Sequence, residues 1–316
     1  MPSKLAITMG DPSGVGPEVT VRALDRLPPP AREGIVLIGD RGFFARACQV
    51  TGVSVEIERE VTLIDVAYPG RGTIRDGEAT AGGGHAAFAC IERAVQLARS
   101  GEIDAIVTAP LNKAALHMAG HRYDGHTGML REMTQSPTVY MLLASPKLST
   151  IHVSTHVSLA DAVRECTQPR VLSTILAGHS HFQAMGIDSP RIAVAGLNPH
   201  SGEGGLFGHE DEEAIAPAVV AARAGGVDVT GPVSGDTVFL RASQGEFDLV
   251  VAQYHDQGHI PTKLIAFDEA VNVTLGLPIL RTSVDHGTAF DIAWQGRANE
   301  ENMLAAIDYA RRLVRP

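Results

Sequence analysis

The sequence predicts an α/β fold built as two domains that flank a cleft. Short β-branched runs alternate with longer helical patterns almost from end to end, which implies crossover units and a largely parallel sheet. A chain of 316 residues exceeds one minimal core and suits two domains. Five polar motifs each follow an apolar run directly, and in such sheets the residues just beyond the carboxyl ends of strands line the ligand crevice.

The strands expected in order are Lys4–Thr8, Ile35–Ile38, Ala105–Thr108, Thr138–Leu143, Ile151–Ser154, Arg191–Ala195 and Asp248–Ala252. The helices are Pro17–Leu27, Ala79–Arg99, Arg170–Met185, Glu210–Ala224 and Glu300–Val314. No internal repeat or low-complexity segment interrupts this alternation. The motifs that follow strands are GDPSGVGPE (Gly10–Glu18), TAPLNK (Thr108–Lys113), STHVSL (Ser154–Leu159), GLNPHSGEGG (Gly196–Gly205) and YHDQGH (Tyr254–His259).

Composition narrows the function classes. A net charge of −10 disfavours a nucleic-acid partner. The longest apolar run, Ala214–Ala222, is far below the ~18 residues of a membrane span. The N-terminal MPSKLAITMG reads as a first strand rather than a signal peptide. Cys48, Cys90 and Cys166 show no CxxC spacing, as expected of a cytoplasmic enzyme without a disulfide framework. The cations comprise 22 arginines and only four lysines, so a lysine inside a motif is informative.

Histidine is the main chemical signal. His156, His200 and His255 sit one each in three of the post-strand motifs, too far apart in sequence for a local finger. Neutral imidazoles suit zinc and other divalent ions, and three protein ligands leave positions open for substrate. His126, in YDGHTG, opens a helix with Thr127, where backbone N–H groups can meet an anion or the side chain can simply cap. His209 and His259 adjoin motifs as supporting groups, whereas His85, His179 and His181 fall on helical patterns as surface or packing residues.

Lys263, Asn272 and Arg281 form a further set in an apolar, sparsely charged stretch, which favours purposeful cations that bind phosphate or carboxylate. The glycines of GDPSGVG match neither the Rossmann fingerprint nor a Walker loop. GGGH (Gly82–His85) begins a long helix and permits close packing. SVDHGTAFDIAWQGRAN (Ser283–Asn299) is the better candidate for a dinucleotide, because a polar glycine-containing turn precedes a C-terminal helix.

Together these motifs, with GPVSGDT and VNVTLGLPILRTSVDHGTA, resemble the 4-hydroxythreonine-4-phosphate dehydrogenases of vitamin B6 biosynthesis and their phospho-threonate dehydrogenase paralogues. The resemblance covers essentially the whole chain. It implies a fold like that of isocitrate and isopropylmalate dehydrogenases, divided here as residues 1–125 plus 285–316 and residues 126–284. It implies metal ligands at His156, His200 and His255, and substrate contacts at His126, Thr127, Lys263, Asn272 and Arg281. His286, Gly287, Thr288, Ala289 and Asp291 then match the adenine-binding loop for NAD or NADP. The metal is divalent (zinc, magnesium or cobalt), and the protein is a homodimer whose active site is shared between subunits.

Two positions depart from the family pattern: Gly128 stands where an acidic residue follows GHT, and Trp294 where a glycine follows DIA. YHDQGHIPTKL looks more like the phospho-threonate branch than the vitamin B6 branch. A dihydrodiol-dicarboxylate branch shares HDQGHIP, but this chain keeps GHT and Arg281, which suit a phosphate.

The reaction expected is oxidation, with decarboxylation, of 4-phosphohydroxy-L-threonine or a related 4-phospho-threonate; the alternative is 4-phospho-D-threonate or D-erythronate in sugar-acid catabolism. Asp236 and Lys263 have equal standing as the catalytic base. Outside this class, a metal-dependent phosphate-ester hydrolase would use the same residue types, and a non-catalytic phosphometabolite sensor would bind without turnover.

Overall fold

The computed structural model describes residues 3–314. Its strands are β1 (Leu5–Thr8), β2 (Ile35–Gly39), β3 (Thr62–Asp65), β4 (Ala105–Thr108), β5 (Tyr140–Ala144), β6 (Thr150–His152), β7 (Ile192–Ala195), β8 (Val229–Val233), β9 (Leu249–Ala252), β10 (Val271–Leu275) and β11 (Leu280–Ser283). The chain forms two compact units. One runs to Val139 and resumes at Leu277, and the other is Tyr140–Gly276. The helix His126–Thr134 and strand β11 thus belong to the first unit.

In the first unit the strand order is β3-β2-β1-β4-β11, with every pair parallel. The residues of β1, β2 and β4 are buried throughout, as parallel strands covered on both faces require. The helix Ala81–Arg99 packs on β1, β2 and β4, and the helix Glu301–Val314 on β1, β4 and β11. Thr80 caps the former by accepting from the Gly83 N–H at 3.0 Å. Its glycines do allow close approach: a Cβ on Gly84 would lie 2.1 Å from the Ala115 carbonyl oxygen.

In the second unit the order is β10-β5-β6-β9-β7-β8. The pairs β10–β5 and β5–β6 are antiparallel, and the rest are parallel. Ala193, Ala195, Val250 and Ala252 form the centre of a core that also takes Val238 and Phe239.

Four strands escape the sequence reading, each for a physical reason. The edge strand β3 is only partly buried, β8 contains Gly-Pro, β10 alternates Val with Asn and Thr, and β11 reads Leu-Arg-Thr-Ser. The helix His255–Ala266 is also unmarked, because Gly258 and Pro261 interrupt its pattern. Among the described residues no helix is long and apolar enough to cross a membrane.

Candidate functional site

The first unit gathers three post-strand loops at the carboxyl ends of adjoining strands. In GDPSG, the Asp11 N–H donates to the Pro110 carbonyl of TAPLNK at 2.9 Å, and Val15 N–H donates to the Thr288 carbonyl of DHGT at 3.0 Å. Gly10 has φ +73°, and a Cβ there would lie 2.4 Å from the Pro110 carbonyl oxygen, so both conformation and space demand glycine. Asp11 is fully buried. Its Oδ1 accepts from the Ser13 N–H at 2.9 Å, while Oδ2, Ser13 Oγ and Thr8 Oγ1 lack hydrogen-bond partners. Burial pushes the Asp11 carboxyl up to about 6.

Arg281 points from β11 beside β4, and its Nε and Nη2 donate to Thr108 Oγ1 at 3.2 and 2.7 Å. Burial of this guanidinium lowers its pKa to about 9. His126 starts the helix His126–Thr134, with Thr127 next along it. Desolvation and the Arg281 charge hold the His126 imidazole well below the usual range, so it is neutral. Arg281, His126 and the TAPLNK strand end are therefore brought together, whereas the sequence reading leaves Thr108 without a role.

Gly128 is explained by its neighbour. A Cβ at 128 would stand 2.2 Å from Asp124 Oδ1, so the Asp124 carboxylate fills the space where that side chain would begin. Trp294 is also accommodated locally. It is buried at φ +61°, its indole N–H donates to the Pro12 carbonyl at 2.9 Å, and the Arg46 guanidinium lies 4.1 Å from its ring centre. Both Glu18 carboxylate oxygens take backbone N–H groups, from Trp294 and Gly296. In DHGTAFDIA, Thr288 is buried, Gly287 and Asp291 are exposed, Ala289 has φ +43°, and the buried His286 Nε2 has no hydrogen-bond partner.

The second unit holds the three motif histidines. His255 begins its helix directly after β9, and its ring centre is 5.6 Å from that of His156. The two line a pocket of about 350 Å³ walled by Thr155, Val157, Leu159 and Tyr254. His255 Nδ1 is 2.6 Å from Asp256 Oδ1, the carboxylate–imidazole arrangement that leaves Nε2 for a ligand. Beneath it His259 stacks at 3.7 Å and 13°. His152 Nδ1 donates to the Met141 carbonyl at 3.1 Å, so its Nε2 accepts from His259 Nδ1, also at 3.1 Å. Burial lowers His152 to about 4 and His259 to about 2, keeping both neutral.

His200 lies in a loop with left-handed φ at His200 (+52°), Ser201 (+55°) and Glu203 (+45°), an uncommon conformation outside glycine. Asp211 imposes it, accepting from the backbone N–H groups of Leu197 and Asn198 at 2.9 and 3.0 Å. Gln257 ties this loop to the His255 helix by donating to the Gly196 carbonyl at 2.7 Å. Among the described residues no group of three or more His, Cys, Asp or Glu side chains is placed to hold a metal, so His200 does not join His156 and His255 within one chain. Lys263 lies two turns beyond His255 on the same helix, and Asn272 lies on β10 opposite Leu143. Asp236 is exposed and accepts from Ser234 Oγ at 2.7 Å.

Sequence reasoning gave no role to Thr108, Asp211, Gln257 or His152, and placed His259 only as a supporting group. Thr108 opens TAPLNK, and Gln257 and His259 lie within YHDQGH, whereas no motif marked Asp211 or His152.

Known proteins match the chain over nearly its whole length. The family described as pyridoxal phosphate biosynthetic protein PdxA matches residues 32–310. The chain is 49% identical to D-threonate 4-phosphate dehydrogenase of Cupriavidus necator, covering 98% of this chain and 97% of that protein. It is 47% identical to 4-hydroxythreonine-4-phosphate dehydrogenase of Beijerinckia indica, covering 99% and 95%. The crystal structure of 4-hydroxythreonine-4-phosphate dehydrogenase from Klebsiella pneumoniae is similar with a TM-score of 0.89 at 43% identity, over 100% of this chain and 99% of that one. With a matching family model over most of its length and relatives near half identical end to end, the chain belongs to the PdxA family.

Proposed function

We propose that this chain is an NAD(P)-dependent dehydrogenase that oxidises a secondary hydroxyl of a phosphorylated four-carbon acid, with D-threonate 4-phosphate as its substrate. The observation that carries the reading is the His156–His255 pair at a pocket, with the Asp256 carboxylate on His255 Nδ1. Two imidazoles beside open space fit a divalent ion, and His200 of a second copy supplies the third. When bound, such an ion lowers the pKa of a coordinated alcohol and so eases loss of its proton. His259, locked by His152, matches the HDQGH form that resembles the threonate branch, and the Cupriavidus relative bears that name. Arg281 holds the phosphate, Lys263 and Asn272 hold the rest of the acid, and the DHGTAFDIA turn holds the nucleotide. Lys263 or Asp236 takes the proton.

A homodimer is part of the proposal. Ile260 and Leu264 on the His255 helix and Phe267 at its C-cap, spaced i, i+4 and i+7, are 56, 81 and 65% exposed. Such a stripe of large apolar side chains fits burial against a second copy, close to where a shared metal site would form.

The test is a spectrophotometric assay of 4-phospho-D-threonate, 4-phospho-D-erythronate and 4-phosphohydroxy-L-threonine with metal and each nucleotide. Reduced nucleotide should appear fastest with 4-phospho-D-threonate. Release of inorganic phosphate without reduced nucleotide would make the protein a hydrolase instead.

A further inference from the structure

The motif GDPSGVGPE matches no phosphate loop, yet it ends in Glu18, whose side chain is fully buried. Glu18 lies in the first turn of the helix Gly16–Arg26. Its two carboxylate oxygens accept from the backbone N–H groups of Trp294 and Gly296, the latter at 2.7 Å. Arg22, one turn further along the helix, donates to the Gly296 carbonyl at 3.1 Å and is itself held by Glu300 at 2.7 Å. One helix thus grips the turn at 294–296 both by its N–H groups and by a carbonyl. The gripped backbone is left-handed: Trp294 has φ +61° and Gly296 φ +67°, and only the second is a glycine. A buried carboxylate is costly unless it is hydrogen-bonded, so opening the turn would strand the charge of Glu18. The carboxylate and the turn therefore hold each other in place.

The same motif reaches the other end of the segment. Val15 N–H donates to the Thr288 carbonyl at 3.0 Å, and the Trp294 indole N–H donates to the Pro12 carbonyl at 2.9 Å. The stretch from Thr288 to Gly296 is thus pinned at both ends to residues 12–22, with Asp291 exposed between the pins. A loop fixed in this way loses little freedom when a ligand meets it, which strengthens binding. We propose that Glu18 is a positioning residue for the nucleotide: its carboxylate, aided by Arg22, presets the loop from Thr288 to Gly296 in the conformation that receives NAD or NADP. The nucleotide assignment rests on the reading of the DHGTAFDIA turn given above. Glu18 is closed to solvent and acts through the loop.

Trp294, inside the gripped turn, is the one tryptophan of the chain. Energy transfer from its indole to bound NADH or NADPH therefore reads nucleotide affinity without turnover. Glu18→Gln keeps the size of the side chain but sets an amide NH2 against one of the two N–H groups. In the full-length protein it should weaken NADH or NADPH binding at least about tenfold and raise KM for the oxidised nucleotide equally, since preorganisation is lost. KM for 4-phospho-D-threonate, and kcat at saturating nucleotide, should stay within about twofold. Hydrogen exchange of the free protein should show the amides at 294–296 opening faster in the variant. Arg22→Met, at a partly exposed position, should weaken nucleotide binding by a smaller factor of about three, and it carries the test where Glu18→Gln does not fold. Faster exchange with unchanged nucleotide affinity overturns the proposal. So does a joint loss of kcat and of affinity for both substrates, which marks a general structural role. Wild type that transfers no energy to NADH or NADPH overturns the nucleotide reading, and this proposal with it, before any variant is compared.

Discussion

The hydroxyl of Thr108, at the end of β4, accepts from both Nε and Nη2 of Arg281 on the neighbouring strand, at 3.2 and 2.7 Å. The guanidinium is thereby held in one plane inside a buried environment, the preorganisation that bidentate anion binding needs.

Thr108→Val should keep the packing volume and remove the hydroxyl. A hydrogen bond to a charged group contributes roughly 1.5–3 kcal/mol, so kcat/KM for the phosphorylated substrate should fall by about one to two orders of magnitude. Arg281→Lys should fall similarly, and the two losses should not add. Thr108→Ser should restore most of the activity. Steady-state kinetics with and without the substrate's phosphate checks this. Equal losses on both substrates would make the pair purely structural.

Replacing His156, His200 or His255 with Ala should abolish stoichiometric metal, measured by atomic emission, while circular dichroism stays unchanged. Because His200 stands apart from the other two within one chain, mixing His200→Ala with His255→Ala protein should regenerate part of the activity. Mixed dimers without any recovery would place the full ligand set in a single subunit.

The Asp11 carboxyl, pushed up to about 6 by burial, carries a stability consequence. Its folded pKa lies above the ordinary aspartate value of 3.8, so the folded state binds the extra proton more tightly. That contribution is present below about pH 4 and is lost as pH rises through about 6. Asp11→Asn should therefore raise stability at pH 7.5 by about 2–3 kcal/mol and have little effect at pH 4. Thermal melts at the two pH values decide it; an equal shift at both would assign the effect to packing.

Leu264→Glu with Phe267→Glu should shift sedimentation from dimer to monomer and reduce turnover, since the shared site would come apart. An active monomer would contradict the shared-site reading.

What the sequence made legible were residues whose meaning is local. His156, His200 and His255 follow apolar runs among Gly, Pro and Asp, and this alone marks them as ends of strands. Residues whose roles arise from distant partners were not legible. Thr108 matters because β11 brings Arg281 beside it, and β11 is too short and polar to register as a strand. Asp211 looks like one acid among several at a helix start, yet it folds the His200 loop from more than ten residues away. His259 reads as a supporting group of its motif, but only helix geometry shows that it stacks on His255.

The carboxylate of Asp124 lies where a side chain at 128 would begin, so the two positions share one small volume. Asp124 is exposed and its carboxylate is the movable end of a short side chain, so a larger residue at 128 would be admitted by turning that carboxylate toward solvent. Glycine at 128 thus leaves the negative charge of this helix start on residue 124, one turn earlier in the chain.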